Sequence, residues 1–163
     1  MTNKVGLALR ELHRAENDLA AELLRASSRH KADHDIFYLG RDLARWSQDH
    51  VRALAKHGEN YGVGLDAEPH EEAGLLAAAR HLGAEFLGGQ HDAALLLLRD
   101  LREIHRQAGG VSLDWEILAQ TAQALKDDEL LELAKTCHPQ TLRQLRWANA
   151  SLKADAAQIM VTP

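Results

Sequence analysis

The apolar positions at the start of the chain form one stripe that is interrupted once. They recur at steps of three and four residues, as on the buried face of an α-helix, at Val5, Leu9, Leu12, Leu19, Leu23 and Ala26. The step from Leu12 to Leu19 passes through residue 16, which is a glutamate. The pattern therefore predicts a helix over residues 3–29 whose buried face contains a carboxylate.

Helical periodicity continues along the rest of the chain, and no window alternates apolar and polar residues as a half-buried strand does. The breaker-rich segment YGVGLDAEPH ends the second predicted helix, which begins at residue 33 or 35. The further helices are predicted over residues 33–60, 70–86, 92–108, 112–126 and 127–159. With the first helix included, and with 92–108 and 112–126 counted as one interrupted element, four elements are long and the one at 70–86 is short. The pattern indicates an all-α protein.

Two features predict breaks within the later helices. The pair Gly109 and Gly110 interrupts the third long element, and Ser112 is a good N-cap for a helix that starts again after it. Pro139 lies inside the last element, where it lacks an amide hydrogen and clashes with the preceding turn. We therefore expect a broken third or fourth helix.

The predicted architecture is an antiparallel four-helix bundle in a single domain over residues 1–163. A chain of 163 residues with 45% hydrophobic residues can bury one sizeable core. Four long helices with short connections favour a bundle whose core is filled at seam positions. The short helix at 70–86 is extra to this frame.

Charge and composition exclude several classes of protein. A net charge of −5 argues against a general nucleic-acid binder, which needs a basic surface. The single cysteine, Cys137, cannot form an internal disulfide, and no signal-peptide pattern is visible, so we expect a cytoplasmic protein. The longest apolar run, AALLLL, is far shorter than the roughly 20 residues that span a bilayer. Membrane insertion is not expected.

A second polar residue lies on the predicted buried face of the second helix. Its apolar series reaches His50 after Ile36, Leu39, Leu43 and Trp46. If the hairpin folds back near His30, His50 lies only about 6 Å along the axis from the level of Glu16. The two side chains can therefore approach each other. In the last helix, His138 and Asn149 also occupy seam positions.

Three segments carry a resemblance to a known family: LHRAENDLAAELL, DLARWSQDHVRALAKHGENYG and DWEILAQTAQALKDDELLELA. A glutamate at mid-seam on the first helix, a histidine at mid-seam on the second and a further helical pair resemble the ferritin-like superfamily. The closer similarity is to small bacterial ferritin-like proteins associated with stress. The resemblance implies a bundle that holds two irons, with one Glu from each of two helices and a Glu-x-x-His pair from each of the others.

Carried over to this chain, the resemblance gives an incomplete ligand set. It assigns metal ligation to Glu16 and His50, with Glu116 as the glutamate of the third helix and His138 and His13 as further candidates. No Glu-x-x-His spacing occurs in the chain, because Ser47 and Lys135 stand three residues before the two histidines. The resemblance thus implies a ferritin-like scaffold with a degenerate di-iron site.

Each candidate ligand also has a structural interpretation. Glu16 and His50 can form a buried hydrogen-bonded pair, since buried charges in proteins are nearly always partnered. Glu116 follows an N-cap and can stabilise the first turn of a helix through the helix dipole. His138 can mark a helix junction beside Pro139, and Cys137 can be a small core residue.

Weaker patterns lie elsewhere. His30 and His34 have the i, i+4 spacing of a zinc pair with aspartates beside them, but they fall at a predicted turn. His81 and Glu85 have the spacing of hemerythrin-like ligands without the rest of that order. Exposed aromatic and arginine side chains favour protein interfaces, unless the aromatics face the core. The residues of this kind are Tyr38, Arg41, Arg45 and Trp46, and Arg143, Arg146, Trp147 and Lys153.

Two functions from different classes follow. The first is a non-catalytic ferritin-like bundle with a structural or protein-interaction role in a stress response, a homo-oligomer such as a dimer, without a cofactor and without nucleic acid or membrane partners. The alternative is an iron-dependent oxidase or iron-handling protein with an unusual ligand set. In that case His13 and Glu16, one helical turn apart, act together with His50, and iron supplies the oxygen chemistry.

Overall fold

The computed structural model describes residues 3–70 and 90–162, and within these ranges it is all-helical. The four long helices are α1 (Lys4–Arg29), α2 (His34–Gly58), α3 (Gln90–Leu125) and α4 (Asp128–Val161), and a short 3-10 helix (Glu59–Tyr61) follows α2. The predicted all-α class is confirmed. Nearly all of the predicted short helix at 70–86, with His81 and Glu85, lies outside the described residues.

Polar side chains at three helix starts explain where those helices begin. Asn3 accepts a hydrogen bond from the Gly6 amide, Asp33 from the Ile36 amide and Asp127 from the Leu130 amide, at 2.8, 3.1 and 3.0 Å. Each satisfies a backbone donor that has no partner within its own helix. These caps set the starts of α1, α2 and α4.

Neighbouring helices run antiparallel in four pairs: α1 with α2, α1 with α3, α2 with α4, and α3 with α4. In each pair, residue numbers rise along one helix as they fall along the other. The contacts that show this are Ser27–Phe37 and Glu16–His50 for α1 with α2, and Arg29–Asp100 and Glu16–Trp115 for α1 with α3. They are Ser47–Gln144 and His50–Gln140 for α2 with α4, and His105–Leu145 and Ser112–His138 for α3 with α4. It follows that α2 and α3 point in the same direction, so a long crossover connects them.

The first part of this crossover, residues 62–70, lies along α1 and is called the strap below. The chain enters it through Gly62, whose φ of 65° is unfavourable for other residues. His13 contacts the strap backbone through its Nε2 at 2.8 Å from the Asp66 carbonyl oxygen, and Asn17 accepts a hydrogen bond from the His70 amide at 3.1 Å. Buried polar residues of α1 therefore hold the strap.

The hydrophobic core lies between the four helices. Its largest fully buried apolar side chains are Trp115, Leu9, Leu12, Leu19, Leu23, Leu54, Leu101, Ile104, Leu118 and Leu130. A smaller cluster of Ile36, Leu97 and Leu101 packs with Trp147 and Leu152 where the α1–α2 turn meets α3 and α4. Both clusters follow the seam spacing of the sequence.

The predicted breaks in the third and fourth long helices are wrong. The α3 helix passes without interruption through Gly109 and Gly110, and Ser112 lies inside it instead of capping a new helix. Two glycines cost about 1 kcal/mol each relative to alanine, and the continuous buried face of Ala108, Val111 and Trp115 outweighs that cost. The α4 helix likewise passes through Pro139, which is exposed while its neighbours Cys137 and Thr141 are buried.

Within the part of the chain that the structure describes, no helix combines the length and apolar character needed to cross a membrane.

Candidate functional site

Glu16 and His50 meet in the middle of the bundle, as the hairpin geometry predicts. The Nδ1 atom of His50 lies 2.7 Å from Oε1 of Glu16. Both side chains are almost completely buried, Glu16 at 0% and His50 at 2% exposure. The carboxylate in the apolar stripe of α1 is thus one half of a buried pair with α2.

Two side chains from the other helices complete this cluster. Trp115 of α3 donates its indole N–H to Oε1 of Glu16 at 2.7 Å, and its ring packs edge-on against His50 with the centroids 5.6 Å apart. On the opposite side, Nε2 of His50 lies 2.7 Å from Oε1 of Gln140 in α4. Each of the four long helices contributes one member, and we call Glu16, His50, Trp115 and Gln140 the mid-bundle cluster.

The geometry of the cluster selects the charged form of His50. Both ring nitrogens face oxygen atoms, so both can donate hydrogen bonds only when the imidazole is doubly protonated. Burial favours the neutral ring and lowers the pKa of His50. The negative charge of Glu16 and the contacts with Cys137 and Glu16 outweigh burial and raise this pKa to about 10. At neutral pH the imidazole of His50 is therefore protonated.

One oxygen of the cluster is left without a hydrogen bond. Oε2 of Glu16 is buried and has no partner among the described residues, whereas Oε1 accepts from both His50 and Trp115. Glu16 also acts on Asp114 of α3, whose pKa is raised first by burial and then by repulsion from the carboxylates of Glu11 and Glu16. Glu16 therefore interacts electrostatically with α3 as well as with His50.

The other predicted ligands do not join this cluster. His13 is buried but binds the strap at the Asp66 carbonyl. Glu116 is exposed on α3, because its neighbour Trp115 takes the inward position, and with α3 continuous it is not a first-turn capping residue either. His138 lies 2.8 Å through Nε2 from the Ser112 hydroxyl, so it joins α3 to α4.

The mid-bundle residues do not fit a di-iron centre. Among the residues that the structure describes, no group of three or more histidine, cysteine, aspartate or glutamate side chains is placed to hold a metal ion. Ser47 is buried and bonded to Gln144, and Lys135 is exposed and paired with Glu132. Within residues 3–70 and 90–162, no other inward carboxylate completes the set.

Sequence reasoning missed the neutral members of the interior. Trp115 continues the apolar face of α3 two turns after Ala108 and one turn after Val111, and this spacing was available as a signal. Gln140 is neutral and lies outside the apolar series of its helix, so the sequence pattern does not mark it as a partner of His50. Gln144, also missed, is fully buried and donates to the Leu43 carbonyl at 2.8 Å and the Ser47 hydroxyl at 2.9 Å.

The histidines at the α1–α2 turn are separated by their contacts. Nε2 of His30 lies 2.8 Å from Asp100 of α3, which also receives two 2.7 Å hydrogen bonds from Arg29. His34 instead packs its ring against Tyr38. The turn therefore links α1 to α3 through a buried aspartate and does not assemble a zinc pair.

Most of the aromatic residues considered for an interface pack inward. Trp46 and Trp147 are half-buried against the core, whereas Tyr38 is 60% exposed. Arg143 and Arg146 face solvent beside Trp147. Of the three aromatic side chains in the two predicted patches, Tyr38 is the one that is largely exposed to solvent.

Comparison of the chain with protein-family models, with curated proteins and with solved structures finds no match.

Proposed function

We propose that the chain is a non-catalytic ferritin-like bundle with a degenerate metal site and a structural or protein-interaction role. The observation that carries this proposal is the closure of the mid-bundle cluster by the protein itself. Both nitrogens of His50 and one oxygen of Glu16 are engaged by side chains of the other helices. A ligand atom held in this way is not free to coordinate a metal.

The helix directions support the ferritin-like part of the proposal. A bundle in which the second and third helices run parallel needs one long crossover, and a single long crossover is a feature of ferritin-like bundles. The strap and the contacts of α1 with both α2 and α3 agree with that arrangement. The place of such a protein in a stress response rests on the family resemblance alone and stays a prediction.

A second candidate, iron binding for oxidase or iron-handling chemistry, is favoured by one atom. Oε2 of Glu16 is buried and lacks a hydrogen-bond donor, and a buried carboxylate oxygen without a partner is costly unless something neutralises it. Against this candidate stand the contacts of His13 and His138 and the exposure of Glu116. The part of the chain that the structure describes thus offers too few inward donors for two irons.

The test is the metal content of purified protein exposed anaerobically to ferrous iron and then to oxygen. We expect no stoichiometric iron and no oxygen-dependent absorbance, because the cluster offers no set of free donors. The variants His50→Ala and Glu16→Ala are measured beside His105→Ala, which removes a histidine of α3 that is not among the candidate ligands. About two irons per chain that disappear in the first two variants and remain in the third would establish the alternative.

A second arm separates a structural pair from a functional one. Removing a single partner from a buried ion pair typically costs 3–5 kcal/mol, whereas replacing both by apolar side chains is often neutral. We therefore expect Glu16→Leu and His50→Leu to lower the free energy of unfolding by about that amount each. The double variant is expected to recover most of the loss in denaturant titrations. A double variant no more stable than the singles contradicts a purely structural pair.

A further inference from the structure

One nucleophilic side chain of the bundle interior has no part in the proposed scaffold role. Cys137 of α4 is the only cysteine of the chain, and it is 4% exposed. It lies about one turn before Gln140, whose Oε1 is 2.7 Å from Nε2 of His50. Residues three apart share one side of a helix, and the Cys137 thiol also contacts the imidazole of His50. The thiol therefore lies at the edge of the mid-bundle cluster.

Three interacting side chains follow one another at this point, each from a different helix. Cys137 contacts His50, and Nδ1 of His50 lies 2.7 Å from Oε1 of Glu16, which fixes the orientation of the ring. A nucleophile, an imidazole and a group that orients the imidazole form the arrangement in which a protein directs proton transfer at a nucleophile. The positive ring of His50 is the proton donor of this series.

Two fully buried side chains beside the thiol have polar atoms without a hydrogen-bond partner among the described residues. Thr141 lies one turn after Cys137 on the same face of α4, and its Oγ1 has neither a donor nor an acceptor. Oε2 of Glu16 is also buried and lacks a donor. Buried polar atoms in proteins are nearly always hydrogen-bonded. The surroundings of Cys137 therefore suit a small polar group that both donates and accepts.

A polar cleft brings solvent close to the thiol. It lies between the end of α2 and the start of α4, has a volume of about 650 Å³, and includes His57, Leu133 and Thr136 in its lining. Thr136 precedes Cys137 directly, and Leu133 lies one turn before it. A small molecule beside Leu133 is thus only ~6 Å along the axis of α4 from the level of Cys137.

We propose that Cys137 is a site of oxidation by hydrogen peroxide, with His50 as the proton donor to the departing oxygen. The sulfur attacks one peroxide oxygen, so an S–O bond forms, the O–O bond breaks and two electrons pass from sulfur to peroxide. The released hydroxide takes a proton from the imidazolium, and the thiol proton returns to the ring. The products are a cysteine sulfenic acid and water.

The product fits the interior better than a thiol does. The new hydroxyl group can donate to Oε2 of Glu16 or to Oγ1 of Thr141, the two atoms without partners. Since the chain has no second cysteine, the sulfenic acid cannot become an internal disulfide. An oxygen added to a closely packed core changes its packing. Oxidation at Cys137 therefore regulates the bundle, a property beyond the proposed scaffold role.

The test uses the folded, unmodified protein. It is treated with hydrogen peroxide in the presence of a metal chelator, and the sulfenic acid is trapped with dimedone and measured by mass spectrometry. Oxidation of Met160, which is 66% exposed, records the peroxide dose in the same samples. The chelator keeps iron out of the reaction, so failure here is distinguishable from failure of the proposed function. Cys137→Ser is expected to abolish the adduct.

The dependence on denaturant shows which state reacts. We expect Cys137 to be labelled at a rate that stays constant at low denaturant concentrations, where the protein remains folded. A rate that rises in proportion to the unfolded fraction means that only the unfolded chain reacts, and it overturns the proposal. This measurement needs no variant of the cluster, so it decides the matter even if such variants do not fold.

A matched pair of histidine variants tests the proton donor. His50→Gln keeps a hydrogen-bonding side chain but has no imidazolium, and it is expected to slow oxidation of Cys137 at least about tenfold without affecting Met160. His105→Gln makes the same change at a histidine that contacts the Leu145 carbonyl oxygen and is expected to leave the rate unchanged. Helix content shows that each variant is folded. A purely structural role of His50 predicts the opposite sign, because a loosened core exposes the thiol, so an equal or faster rate in folded His50→Gln overturns the proposal.

Discussion

His50 contacts every other member of the mid-bundle cluster. Its imidazolium is sealed between a carboxylate, an amide oxygen and the edge of an indole ring. A positive charge at this depth is tolerated because Glu16 carries the opposite charge at 2.7 Å and both N–H groups have acceptors. The same residue therefore links stability to pH.

The sign of that linkage follows from the pKa of His50, which is raised from 6.5 to about 10 on folding. The stabilisation is fully present below pH 6.5 and is lost as the pH rises towards 10. We expect the free energy of unfolding to fall across this window by up to about 5 kcal/mol. In His50→Gln, which can hydrogen-bond to Glu16 but does not titrate, this contribution is expected to vanish.

The measurement is a series of denaturant titrations between pH 6 and 10 on both proteins, and the difference between the two profiles isolates His50. Other groups that titrate in this range contribute equally to both profiles. Parallel profiles for wild type and His50→Gln would mean that the ring is already neutral at pH 7.

The helices differ in how they use glycine. Gly109 in α3 has ordinary helical geometry, and a Cβ atom there would lie 3.7 Å from the Leu145 side chain, a normal contact. Gly6 in α1 is different, because a Cβ atom would lie 2.5 Å from the Asn3 side chain and 2.6 Å from Val63. One glycine is dispensable for the helix, and the other allows the cap and the strap to approach α1.

The same substitution is therefore expected to have opposite effects at these two positions. Gly109→Ala is expected to raise the free energy of unfolding by about 0.5–1 kcal/mol, since alanine restricts the unfolded chain and suits the helix. Gly6→Ala is expected to lower it by about 1–3 kcal/mol through overpacking and displacement of the cap. Thermal and denaturant unfolding of the two variants measures both signs, and a loss of stability in Gly109→Ala would argue against a continuous α3.

Much of the first hairpin could be predicted, because its signals are periodic. The stripe broken by Glu16 locates α1 and the apolar series to His50 locates α2 to within one or two residues of the structure, and the two polar seam positions predict that Glu16 and His50 approach each other. The continuity of α3 and α4 could not be predicted locally, because packing on Ala108, Val111 and Trp115 overrides the preferences of two glycines. Gln140 was missed since a neutral amide on a half-buried face looks like any solvent-facing residue.

The two hairpins of the molecule are joined by a few polar contacts as well as by the core. At the turn of the first hairpin, Arg29 and His30 bind Asp100 of α3. At the opposite end, Tyr61 donates its hydroxyl proton to Asp127, the N-cap of α4. Between them the strap follows α1, held by His13 and Asn17. The position of the strap thus depends on side chains buried in α1.

Asn17→Ala is expected to release the strap. The change leaves the His70 amide without its acceptor and is expected to cost about 1–3 kcal/mol. Hydrogen exchange of the backbone amides in residues 63–70 measures the release, which is expected to be faster in this variant. Asn60→Ala makes the same chemical change at an exposed position beside the strap and is expected to leave exchange unaltered. Equal exchange in both variants would contradict the role of Asn17.

The parallel directions of α1 and α4 determine where the ends of the chain emerge. Asn3 contacts Tyr61, and Tyr61 contacts the N-cap of α4, so α1 and α4 begin at the same end of the bundle. The α4 helix then runs 34 residues to Val161, about 50 Å at 1.5 Å per residue. Domains fused to the two ends would be held on opposite sides of the bundle, with the protein acting between them as a rigid spacer.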